Sequence, residues 1–230
     1  FTAVGPVPLL HYPLDSDGTN TGSVPGYALT LNGSVSFVAG KVGSAAQFSN
    51  SAYAAAQGSA RAVLGVYPQY TISLWVNVSA SPDTQHAYFD INNRSVAPYG
   101  GIQLSVFSAT QSSICAASTS SPYLTGSCPI YTGLASGVWH NVIVRYAGTG
   151  VGAGQGANVE VYHDDVLVET VANDSANDPV FSQGIYDTLY IGSGGVTLDD
   201  IRVYNNVFTV ANQCTQIIGG TWTGASCTLP

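Results

Sequence analysis

The sequence predicts an all-β chain folded as an antiparallel two-sheet β-sandwich, and three observations carry that reading. Short runs rich in Val, Ile, Tyr and Thr recur along the 230 residues, separated by clusters of Gly, Asn, Ser and Pro. Several runs divide into two faces with the period of a strand: Ile72, Leu74, Val76 and Val78 stand against Thr71, Ser73, Trp75 and Asn77. Convincing helical periodicity is absent.

Residues 1–8 are apolar and punctuated by Pro, which reads as an extended N-terminal arm. The predicted strands then follow in order: Leu9–Leu14, Tyr27–Leu31, Ser44–Phe48, Tyr70–Val78, His86–Asn92, Gly101–Ser108, Trp139–Tyr146, Asn158–Tyr162, Val166–Val171, Thr188–Ile191 and Leu198–Tyr204. Helix is confined to a turn at Ser59–Leu64 or Val210–Gln213. The Ser/Thr-rich stretch 109–137 reads as a surface excursion between strands, the kind of segment that often binds. Residues 212–230 surround Trp222 and are too short for a core of their own, so they are expected to dock on the sandwich or on a neighbour. With no internal repeat and no linker, residues 9–211 are expected to form one domain.

Charge narrows the function. Only 8% of residues are charged, against about 25% in ordinary domains, and the formal net charge is -8. Phosphate backbones need clustered Lys and Arg, so nucleic acid and anionic membrane surfaces are excluded as partners. No run of about 18 apolar residues predicts membrane insertion. The N-terminus lacks a basic leader and the chain lacks Met, which reads as a processed, secreted or surface-displayed protein.

The cysteines agree. Cys115 and Cys128, and likewise Cys214 and Cys227, are 13 residues apart and each pair encloses turn-forming residues. Two local disulfides are expected, the second stapling the C-terminal tail, although four cysteines allow three connectivities. Zinc would want closer spacings and nearby histidines.

Six segments, in order, resemble the laminin-G-like, concanavalin A-like lectin/glucanase jelly roll. They are Leu10-His11-Tyr12-Pro13-Leu14-Asp15; Gly40-Lys41-Val42-Gly43-Ser44-Ala45-Ala46-Gln47-Phe48; Tyr70-Thr71-Ile72-Ser73-Leu74-Trp75-Val76; Trp139-His140-Asn141-Val142-Ile143-Val144-Arg145-Tyr146; the hairpin from Val159 to Val168; and Leu198-Asp199-Asp200-Ile201-Arg202-Val203-Tyr204-Asn205. The resemblance spans about residues 9–209 and is specific for the fold, not for a function. Two departures stand out: Asp164-Asp165 replaces the usual Asp-Gly of the hairpin, and neither cysteine pair belongs to the shared pattern.

The resemblance implies a structural calcium ion where the closing strand meets the opening one, at Asp199 with Asp15 and the Leu14 carbonyl opposite. Calcium takes six to eight oxygens, and the Asp17-Gly18-Thr19-Asn20 turn and carbonyls near Gly43 would complete the shell. The alternative is that Asp15 and Asp199 accept hydrogen bonds from loop amides. A different segment, His86–Tyr99, carries the mixture of aromatic and planar polar side chains that sugars need: Tyr88, Asp90, Asn92 and Arg94 alternate on one face as candidate glycan-binding residues, and the resemblance implies that this segment lines the concave sheet; the alternative is that Tyr88 is core and Arg94 an ion-pair partner.

Catalysis finds little support. If Asp164-Asp165 is a two-residue turn, Glu160 falls opposite Glu169, a possible carboxylate pair for glycoside hydrolysis. However, the E-x-D-x-E strand of laminarinase-like enzymes is absent, and the hairpin reads as a structural ribbon. His140 belongs to the fold signature, and Lys41 has no phosphate-loop frame. Four sequons, at Asn32, Asn77, Asn93 and Asn173, are possible glycosylation sites. Three functions follow, in order of preference: a non-catalytic extracellular or cell-surface adhesion module recognising glycan or a protein partner; a structural subunit of an extracellular filament, joined to other copies through arm and tail; and a glycoside hydrolase.

Overall fold

The computed structural model describes residues 6–59, 69–79, 87–93, 99–108, 111–119, 130–132, 134–147, 159–171 and 188–230. Two antiparallel sheets face each other across an apolar core, as the strand pattern requires. The first sheet holds β1 (Leu10–Tyr12), β3 (Val35–Ala39), β4 (Ser44–Phe48), β6 (Gln69–Val78), β11 (Trp139–Ala147), β12 (Val159–His163), β13 (Val166–Val171) and β15 (Val196–Tyr204). Its strands run β13-β12-β11-β6-β15-β4-β3, with β1 also paired to β15. The second holds β2 (Thr30–Asn32), β5 (Tyr53–Gln57), β7 (Ala87–Asn93), β8 (Tyr99–Ser108), β9 (Gln111–Thr119), β10 (Ile130–Thr132) and β14 (Thr188–Gly192), in the order β10-β9-β8-β7-β14-β5-β2.

The core forms as the alternation demands. Ile72, Leu74, Val76 and Val78 are fully buried against Phe89, Ile91, Leu104, Leu189 and Ile191 of the opposite sheet. One expectation changes: residues 109–137 are not simply an excursion, because β9 pairs along β8 and β10 along β9, extending the second sheet. Cys115 lies on β9 opposite Gln103, while Cys128 and any bond between the two fall outside the described residues. So do Arg94, Asn173 and most of the Ser59–Leu64 turn.

The C-terminal segment packs on its own domain. Thr209 caps a short helix α1 (Val210–Asn212), which continues as a wider π-helical stretch over Gln213–Ile218 and ends at Gly219 in the left-handed region. A hairpin of β16 (Thr221–Trp222) and β17 (Cys227–Thr228) follows, and the expected Cys214–Cys227 disulfide ties it back to the helix. Phe208, Ile217 and Ile218 cover Trp75, Ile143, Tyr162 and Tyr204 on the outer face of the first sheet, forming a second apolar cluster. That cover explains how Trp75, on the face opposite the core, is only 2% exposed.

Each described Lys or Arg side chain fastens a carbonyl of this segment. Arg145 Nη1 donates to Phe208 at 2.7 Å, Arg202 Nη1 to Ile217 at 3.2 Å and Lys41 Nζ to Pro230 at 2.6 Å. The Thr71 hydroxyl adds a bond to the Asn206 carbonyl at 2.7 Å. Among the described residues, no helix is long and apolar enough to cross a membrane.

Candidate functional site

Strand β15 changes partner halfway. Thr197 and Leu198 pair with β4, whereas Ile201, Arg202 and Val203 pair with β1. Between them the register against β6 shifts, and Asp200 takes φ 50°. The irregularity places Asp199 where the loop entering β4 meets the chain leaving β1. Asp199 Oδ2 accepts from the Val42 amide at 2.8 Å, and Asp15 Oδ1 accepts from the Ser44 amide at 2.7 Å. Both aspartates therefore grip one loop, 40–44, as the loop-amide alternative anticipated. A Cβ at Gly43, where φ is 69°, would sit 2.4 Å from Asp15 Oδ1, and one at Gly40 would sit 2.6 Å from Asp199 Oδ2. Only glycine fits at either place.

One atom of this seam is left over. Asp199 Oδ1 is buried and has no hydrogen-bond partner among the described residues. Burial pushes the Asp199 carboxyl up to about 6; the amides of Val42 and Lys41 oppose the rise, and the negative charges of Asp200 and Asp15 add to it. The Gly43 carbonyl accepts from the Gly40 amide at 2.9 Å, and Leu14 takes φ 60°. Asp200, which the sequence did not single out, is committed elsewhere: it accepts from His11 Nε2 at 2.8 Å and from Arg202 Nε at 2.9 Å.

At the hairpin between β12 and β13, Asp164 and Asp165 both have positive φ, as a two-residue turn requires. The possible facing of Glu160 and Glu169 does not occur. A bulge between Val161 and Tyr162 slips the register by one residue, so Glu160 opposes Thr170 and Glu169 opposes Val161. Glu160 instead pairs with Arg145, whose Nε reaches its Oε2 at 2.7 Å, and the Arg145 guanidinium also contacts the Tyr162 hydroxyl. The Ala135 amide donates to His140 Nε2 at 3.0 Å, so Nδ1 carries the proton and donates to Asp164 Oδ2 at 2.7 Å. Burial disfavours the Asp164 carboxylate, but bonds from His140 and Asn141 outweigh it and hold the group below its ordinary range. Burial also lowers the neighbouring His163 to about 4. Although His140, His163 and Asp164 cluster closely enough to suggest a metal, both His140 nitrogens are already engaged.

The face proposed for glycan is only partly as expected. A bulge between Ala87 and Phe89 breaks the alternation and turns Tyr88 into the core, where it has no exposed surface and meets Ser112 at 3.2 Å. A ring so buried offers nothing to a ligand, which corrects its assignment. Asp90 does lie on the outer face, in register with Tyr190 on one side and Gln103 on the other. Asn92 shares the strand, but its side chain and that of Asn93 lie outside the described residues. What the sequence did not reveal is the partner of Tyr190. Tyr53, opposite Gly192 on β5, brings its ring centroid within 6.1 Å of Tyr190 at 54°, and the two rings are 41% and 40% exposed. Among the sequons, Asn32 Nδ2 bonds the Thr30 carbonyl at 2.9 Å, and Asn77 is half-buried on the outer face of the first sheet.

Domain 4 of AbnA, a GH43 extracellular arabinanase from Geobacillus stearothermophilus solved in complex with arabinotriose, superposes with a TM-score of 0.61 at 17% identity, covering 90% of this chain and 97% of that one. The binding domain of botulinum neurotoxin DC, in complex with SialylT, gives 0.64 at 12% identity, covering 91% and 50%. A Trypanosoma rangeli sialidase gives 0.57 at 11% identity, covering 80% and 28%. This chain thus spans about half the length of the neurotoxin domain and less of the sialidase. No curated protein sequence matches. Residues 48–212 match the family of concanavalin A-like lectins and glucanases in its laminin-G-like form. Six motifs in order, two facing antiparallel sheets and that match across most of the chain make it a member of the concanavalin A-like lectin/glucanases superfamily.

Proposed function

We propose that this chain is a non-catalytic module that acts outside the cell or on its surface and recognises a glycan through the outer face of its seven-stranded sheet. The carrying observation is the exposed pair Tyr53 and Tyr190 beside the buried carboxylate of Asp90. Sugar rings present C–H faces that pack on aromatic rings, while a fixed carboxylate and the neighbouring Gln103 amide suit their hydroxyls. Support also comes from relatives of the same fold: the arabinanase domain holds arabinotriose, and botulinum neurotoxin type C is described as depending on two ganglioside molecules for cell entry. Binding without turnover fits the commitment of Glu160 to Arg145.

Retention on immobilised polysaccharides and a glycan array tests this reading. Tyr53→Ala and Tyr190→Ala are expected to weaken binding at least about tenfold with no loss of stability. Unchanged retention in the double variant overturns it.

A structural calcium ion is the second part of the proposal. Asp15 and Asp199 would hold it with the carbonyls of Leu14 and Gly43, and its charge would neutralise carboxylates that otherwise repel one another. Asp199 Oδ1, which has no hydrogen-bond partner among the described residues, is the atom that fits such an ion.

A further inference from the structure

The C-terminal segment covers only part of the outer face of the first sheet. Beyond its edge lies a groove of about 600 Å³ over β3, β4, β15, β6 and the start of β11. Its floor is a single row set by register: Ser36 faces Gln47, Gln47 faces Thr197, Thr197 faces Asn77 and Asn77 faces Trp139. Four strand spacings of about 4.8 Å make this row roughly 19 Å long. The side chains of Thr197, Asn77 and Trp139 make no hydrogen bond to any described residue, and Ser36 donates to Gln47 Oε1 at 3.4 Å. Trp139 is half-buried, with one side against the C-terminal cluster and another lining the groove.

We infer that this groove is a second binding site, for an uncharged oligosaccharide lying across the strands. Amides that both donate and accept alternate with hydroxyls along the row, which matches successive sugar hydroxyls. Trp139 supplies an indole face and an N–H at one end, and half-buried Val38, on the same face of β3 as Ser36, adds apolar lining for C–H surfaces. No lining residue is charged, so neither an anion nor a cation finds a counter-charge there. The site is on the sheet opposite Tyr53 and Tyr190 and does not depend on them.

The test is a nitrogen-15 NMR titration of the full chain with cellotetraose, xylotetraose and mannotetraose, and with tetragalacturonate as the anionic control. At least one neutral probe is expected to shift the Trp139 indole N–H and the Gln47 and Asn77 amide resonances. Asn77→Leu and, on the exposed strand, Gln47→Ala should each weaken that binding at least about tenfold, while Tyr53→Ala leaves it unchanged. The inference is overturned if no neutral probe shifts these resonances, if both groove variants bind like the parent, if tetragalacturonate binds as tightly, or if Tyr53→Ala abolishes the effect.

Discussion

Arg145, midway along β11, donates through Nη1 to the carbonyl of Phe208 at 2.7 Å, while its Nε holds Glu160 in register on β12. One half-buried guanidinium thus joins the sheet to the segment that covers it. Replacing it with Met is expected to cost roughly 2–3 kcal/mol, because Glu160 and the Phe208 carbonyl both lose their partner. Lys at this position keeps the charge without the fork and should recover only part of the loss. Urea unfolding gives the magnitude, and faster hydrogen exchange across 208–218 gives the location; parental exchange there contradicts the fastening role.

The Cys214–Cys227 staple closes a short loop, and its removal by a Cys214→Ser, Cys227→Ser double variant should cost roughly 3 kcal/mol. Loosening the segment uncovers Trp75, so a red shift of tryptophan emission should come before global unfolding in a denaturant titration. A single coincident transition with parental emission would show that the segment holds without its staple.

Asp165 lies beneath that staple, with a carboxyl oxygen and the two sulfurs all within 4.8 Å of one another. Both of its oxygens are buried with no hydrogen-bond partner among the described residues, and burial pushes the group up to about 6. A carboxyl raised in the folded state binds its proton more tightly there than when unfolded. Its contribution is therefore full below about pH 4 and is lost as pH rises through 6. Asp165→Asn should stabilise the protein at pH 7 on the order of 1–2 kcal/mol and have little effect near pH 4. Melting temperatures of the two proteins from pH 4 to pH 7.5 check this; a constant difference would rule out titration of Asp165 as its source.

Calcium should raise the melting temperature, with a stabilisation of about 2.7 kcal/mol at one hundred times its dissociation constant. Asp199→Ala should abolish the response. An unchanged melting temperature in EDTA, together with no metal by elemental analysis, sinks the calcium proposal.

The sequence revealed most where side chains alternate strongly. The run at 70–78 carries apolar residues at every second position, those at 139–146 and 198–204 do so over part of their length, at Val142, Val144 and Tyr146 and at Ile201 and Val203, and all three are central strands of the first sheet. Tyr53–Gln57 was not legible, because Ala54, Ala55 and Ala56 have weak strand preference and become a strand only through packing, with Ala54 and Ala56 fully buried. Strand β9 was hidden in the same way by Ser and Ala. Bulges were invisible too: one moved Tyr88 into the core, and the other separated Glu160 from Glu169. The Tyr53 and Tyr190 pair and the row from Ser36 to Trp139 depend on strand register across distant parts of the chain, which local pattern does not encode. A tyrosine set among alanines, and another between Leu189 and Ile191, were the only local hints.

The three cationic fasteners of the C-terminal segment all bind main-chain oxygen. Such a bond is indifferent to the side chain at the acceptor position. Phe208 and Ile217 can therefore be exchanged for other apolar residues, and Pro230 for almost anything, without breaking the attachment. The sheet reads the path of the segment and not its spelling, which leaves the rim beside the groove open to sequence drift while its position stays fixed.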